Sequence, residues 1–121
     1  MEKKVLAGAN SREEKYFLSP EFSALPESIQ EEVRVICVLL AEKLACIFLM
    51  GFYENGELYF ETIRYADDFD FDEIGAELEI KEMQRGKKEL LHSLQLWYTV
   101  FCTPEGEKMK EQLLQQVTEE Q

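Results

Sequence analysis

The sequence predicts a single α+β domain: a β-hairpin packed against a buried helix and a long C-terminal amphipathic helix. Three observations carry that prediction. Apolar residues recur at helical spacing from Ile29 to Leu44. Asn55-Gly56 separates two runs rich in β-branched and aromatic residues. Helical periodicity then resumes at Ala76 and persists to Phe101. With 121 residues, 45% of them hydrophobic, one domain with its own core is expected.

Residues 1–25 read as irregular, with short strands or a short helix. Val5 to Ala9 suits a strand. Asn10 with Glu13 matches a capping box that would start a helix at Ser11, whereas Lys15 to Leu18 suits an edge strand equally well. A helix over 26–45 follows, with Pro26 in its first turn. Ile29, Val33, Ile36, Leu40 and Leu44 form its main stripe. Val35, Val38 and Leu39 fall on the other side, so this helix is expected to be covered on two sides.

The hairpin spans 46–65. Reading Asn55-Gly56 as a two-residue turn sets Tyr53 opposite Leu58 and Gly51 opposite Phe60. Phe48, Met50 and Phe52 would then share a face with Tyr59, Glu61 and Ile63. Both faces carry large apolar groups, and a lone two-stranded ribbon is marginal in water. Its sheet is therefore expected to be extended, by N-terminal strands or by dimerisation.

One long helix is expected over 70–102. Asp70 is the natural N-cap, Glu73 completes a capping box, and Phe69 and Ile74 occupy the positions of a hydrophobic staple. The stripe runs through Ala76, Ile80, Met83, Lys87, Leu90, Leu94, Trp97 and Phe101. A continuous helix of that length would reach about 48 Å. A domain of this size is only about 35 Å across, so the helix must protrude, kink near Gly86 or lie along a partner. Thr103-Pro104 starts a terminal helix over 104–118, with Met109, Leu113 and Val117 on one side.

Twenty-five acidic side chains face 13 basic ones, a net charge of −12. That charge excludes a nucleic-acid binder, which needs a basic footprint, and an anionic membrane surface. The longest uncharged run, Leu44 to Tyr53, is about half of what a membrane helix needs. Eleven of the acids lie between Glu54 and Glu82, opposed only by Arg64 and Lys81. Asp67, Asp68 and Asp70 are the candidate ligands of a loose divalent-cation site. Asp68, Asp70, Asp72 and Glu79 have EF-hand spacing, but Glu73 stands where that loop needs Gly. Cys37, Cys46 and Cys102 have no CxxC spacing and read as buried hydrophobes of a reducing compartment. His92 lies off the apolar stripe, a surface position. No phosphate loop, nucleophile elbow or zinc-protease motif is present, so no catalytic residue and no cofactor is assigned.

Several segments resemble an uncharacterised family of short acidic bacterial proteins with no assigned function. The echoes are Lys15-Tyr16-Phe17, Pro20-Glu21-Phe22, Leu25-Pro26, the Asn55-Gly56 hairpin, Asp72-Glu73-Ile74-Gly75, and Leu96-Trp97-Tyr98 with Phe101. The resemblance implies a bacterial cytoplasmic origin and brings no ligand or site residue. The expected function is a non-catalytic acidic interaction or regulatory module. It would be a homodimer, with a basic protein as a further partner. A divalent-cation-binding protein and a small enzyme using paired carboxylates are the alternatives.

Overall fold

The segment least legible in sequence supplies two of the four strands of the sheet, one inner and one edge. In a computed structural model, which describes residues 2–108 and 111, β1 (Lys3–Asn10) and β2 (Lys15–Leu18) pair antiparallel, with Ala7 opposite Leu18 and Asn10 opposite Lys15. The short helix at Ser11 does not form. Asn10 Oδ1 does accept from the backbone N–H groups of Arg12 and Glu13, as a cap would. Glu14 then takes a left-handed conformation, φ 53°, and turns the chain back on itself. A single 3-10 turn at Pro20–Phe22 buries Phe22 before α1 (Glu27–Leu44), with Pro26 at the N-cap.

β3 (Ile47–Tyr53) and β4 (Leu58–Ile63) complete a four-stranded antiparallel sheet in the order β2-β1-β3-β4. The N-terminal strand thus fills one edge of the expected hairpin. The register differs from the expected one by a residue. Phe52 faces Leu58, Met50 faces Phe60 and Phe48 faces Thr62. The connection has three residues rather than two. Only Gly56 has positive φ, 88°, and Asn55 does not, so the chain makes an ordinary turn closed by Gly56 N–H to Tyr53 O, 2.9 Å. Asn55 Oδ1 accepts from Glu57 N–H instead. A two-residue turn needs both Asn55 and Gly56 left-handed, whereas one left-handed glycine after a tight turn is the next commonest solution. The shift matters because strand side chains alternate faces. It puts Leu58 and Phe60 into the core and sends Glu61 to solvent, where the expected register would have driven that carboxylate inward.

The helices α1, α2 and α3 lie on one face of the sheet. Leu6, Ala7, Ala9, Phe48, Met50 and Phe52 pack there with Val33, Ile36, Cys37 and Leu40 of α1. The expected long helix is two: α2 (Glu73–Gly86) and α3 (Lys88–Cys102). Lys87, at φ −119° and ψ 27°, breaks the backbone between them. The break lets α2 set Ile80 and Met83 against the core beside α1, while α3 delivers Leu90, Leu91, Leu94 and Tyr98 to β3 and β4. Tyr98 stacks on Phe52 at 4.5 Å, and Phe22 lies 5.5 Å from the same ring. Val35 and Leu39, expected to be covered, are 42% and 58% exposed. Residues 104–108 are helical, with Gly106 N–H donating to Thr103 Oγ1. Met109, Leu113, Val117 and the rest of the expected terminal helix lie outside the described residues, apart from Glu111.

Candidate functional site

The acidic segment leaves β4 through a loop tied to the β1–β2 turn at the same end of the sheet. Tyr65 is the hub. Its hydroxyl donates to Asn10 Oδ1 at 2.8 Å, accepts from Arg12 N–H at 3.0 Å and lies 2.8 Å from Ser11 Oγ. The Arg12 guanidinium covers the Tyr65 ring at 4.0 Å and reaches Asp67 at 2.7 Å. A hydrogen bond from Arg12 holds Asp67 below the usual carboxylate range. This latch joins residues about 55 positions apart, and no local pattern announces it.

The three candidate cation ligands are not gathered. Asp67 is engaged by Arg12. Asp68 Oδ1 accepts from Asp70 N–H, 3.1 Å, closing a local turn, and Asp68 O accepts from Arg64. Glu79 pairs with Lys43 of α1 at 2.9 Å, away from the loop. Among the described residues, no three His, Cys, Asp or Glu side chains converge as metal ligands would.

The helix cap is also displaced from its expected position. Asp72, not Asp70, is the N-cap of α2. It stands in extended backbone and accepts from Gly75 N–H at 2.8 Å. The acids before it are occupied with turns, so helical geometry starts two residues later. Staple positions accordingly pass to Phe71, half-buried, and Ala76, buried. Phe69 and Ile74 lose their expected contact and stand 85% and 75% exposed. Leu78, one helical turn beyond Ile74, is 59% exposed. Both residues lie on the side of α2 opposite Ala76, Ile80 and Met83. Glu73, Glu77 and Glu82 lie around them, Glu77 paired with Lys81 at 3.9 Å and Glu82 with Arg85 at 3.3 Å, and Lys87 and Lys88 follow at the C-terminal end. Acids at the start and cations at the end complement the helix dipole.

The corrected cap has a measurable consequence. Asp72→Ala removes the N-cap acceptor and a negative charge at the helix start, a loss of about 1 kcal/mol. Asp70→Ala leaves the cap intact and should change stability by only a few tenths. Urea midpoints at unchanged slope distinguish them, and the reverse order would return the cap to Asp70.

Surface grooves open at two element junctions. One, about 590 Å³ at the α2–α3 junction, mixes Arg85, Lys87 and Lys88 with Glu32, Glu89 and Ser93. A second, about 350 Å³ between β2 and α1, includes Tyr16. The Tyr16 hydroxyl is buried without a hydrogen-bond partner, and burial pushes its pKa to about 12. Burial also pushes the Cys37 thiol to about 12 and that of Cys46 to about 11, so neither is poised as a nucleophile. Cys102, expected to be buried, is exposed, and so is His92. No helix among the described residues is long and apolar enough to cross a membrane.

No curated protein and no solved structure shows a significant match to the chain. A family model does, over residues 3–108, from the first strand to the start of the last helical segment. That span takes in the whole sheet, the latch and the capped acidic helix, and the chain belongs to this family, a family of unknown function (DUF6145).

Proposed function

We propose that the protein is a non-catalytic acidic interaction module whose α2 docks a basic protein partner. One observation carries the reading: Phe69, Ile74 and Leu78 are 85%, 75% and 59% exposed amid the densest run of acids in the chain. Isoleucine and leucine at that exposure bury little in the free protein, and the Phe69 ring has the Arg64 guanidinium over it at 6.0 Å. They suit an amphipathic helix that lays an apolar stripe into a groove, here one with a basic rim. Acids around the stripe steer a basic partner and reject acidic ones, and the apolar residues supply the affinity. Cys37 and Cys46, buried and unbridged, fit a reducing cytoplasmic compartment.

The test is capture from lysate of the native cell on immobilised protein, compared between wild type and Ile74→Asp/Leu78→Asp. Both substitutions sit on exposed positions, so the fold is retained. A basic protein should be held by wild type, released by rising salt and reduced at least tenfold by the double variant. Equal recovery on both columns would refute the α2 docking face.

A further inference from the structure

The face of the sheet turned away from the helices carries a second surface, independent of α2. Val5, Phe17, Ile47, Leu49, Tyr53 and Ile63 point there and stand outside the core. Phe17 is 48% exposed and Ile63 42%, and the other four are half-buried. An antiparallel sheet with one solvated face normally alternates apolar-in with polar-out, and this one does not. Four strands about 4.8 Å apart and seven residues of about 3.4 Å each give a footprint of roughly 400 Å². The face as a whole is as large as the largest patch on a typical monomer, about 300–600 Å², which is often functional.

Charge identifies the occupant. On these strands the outward charges are only Lys3, Lys15 and Glu61, in a chain of net charge −12. A strongly basic partner has no anionic field to meet here, and a strongly acidic one is repelled by the rest of the molecule. A nearly neutral apolar face fits another of the same kind. We infer that the outer sheet face is a homodimer interface, two copies packing sheet against sheet about a two-fold axis along the strands. That axis lays β2 of one copy over β4 of its partner. Lys15, on the β2 edge, then approaches the partner's Glu61, on the β4 edge, and the contact occurs twice. The helix layers point outward, so the two acidic α2 helices lie far beyond the screening length of about 8 Å. Pairing through the helix layer would instead bring those acids together.

Two such faces bury about 800 Å² in total, below the roughly 1,200 Å² at which stable pairs begin, so weak association, in the high micromolar range, is expected. Sedimentation equilibrium from 1 to 300 μM should show weight-average mass rising from 14.2 kDa towards twice that value. Leu49→Arg should hold the chain at monomer mass throughout. If that variant folds poorly by circular dichroism, the exposed pair Lys15→Glu and Glu61→Lys decides. Each should weaken association at least tenfold, and the double exchange should restore it. A wild type that stays monomeric at 300 μM overturns the inference. So does a dimer indifferent to Leu49→Arg, or one broken by Leu39→Arg on the helix layer. The assay contains no second protein, so its outcome is separate from that of the α2 docking test.

Discussion

Phe52→Ala should be the most damaging single truncation among the residues described, at about 4 kcal/mol. Phe52 is fully buried at the point where three parts of the chain meet. Its ring stacks on Tyr98 of α3 at 4.5 Å, lies 5.5 Å from Phe22 in the 3-10 turn, and projects from β3 opposite Leu58. Truncation removes the transfer free energy of the ring and leaves a cavity that neither α3 nor the turn can close without moving the other. A domain of this size is stable by about 5–15 kcal/mol, so the variant approaches unfolding at room temperature. Phe69→Ala, at 85% exposure, is the control and should be near neutral. Urea denaturation reads both. A Phe52→Ala loss below about 1 kcal/mol would mean that α3 is not docked on β3.

Much of the fold was legible because its signals are local. The stripe from Ile29 to Leu44 and the alternation of Phe48, Met50 and Phe52 each follow from one element's own geometry. The break between α2 and α3 was written as a weak spot in the stripe: Gly86 beside Lys87, a charged residue where an apolar one was due. Pattern alone could not choose between a kink and a break. That choice belongs to tertiary packing, which rewards two helices for reaching different parts of the core. The hairpin register failed for a similar reason. Asn-Gly specifies that a turn exists, but burial decides which of two neighbouring registers wins, and here the carboxylate of Glu61 decides it.

The candidate site was legible only in composition. The acids were countable, but their partners were not. Arg12 and Asn10 reach the loop from the other end of the chain. The exposed stripe follows from a two-residue displacement of the cap, from Asp70 to Asp72. With four aspartates in the six residues Asp67 to Asp72, any of them could cap, and the local turns choose. Ile74 looked like one half of a buried staple, and became an exposed apolar residue for that reason alone.

Gly51→Ala should destabilise the protein by about 2 kcal/mol, although it replaces a glycine within a strand. Glycine in a strand interior is ordinarily a weakness, and alanine there lowers the entropy of the unfolded chain. Gly51 is the exception because of its neighbour. β1 slips register against β3 between Val5 and Ala7, and Gly51 sits opposite Val5 at the edge of that irregularity. An added methyl group would run into the carbonyl oxygen of Lys4 and the ring and hydroxyl of Tyr59. A flexible side chain could move aside, but a backbone carbonyl in a paired strand moves only by breaking the ladder. Tyr59, only 6% exposed, is itself held over Gly51 and against Tyr53 at 5.4 Å. The cost of overpacking therefore exceeds the entropic gain of under 1 kcal/mol. Gly51→Ala/Tyr59→Ala separates the two sources of strain. If the ring were the main obstacle, adding Gly51→Ala to a Tyr59→Ala background would cost almost nothing. If the Lys4 carbonyl dominates, as a fixed backbone group should, most of the 2 kcal/mol penalty persists there. A double-mutant cycle read by urea midpoints measures that difference directly.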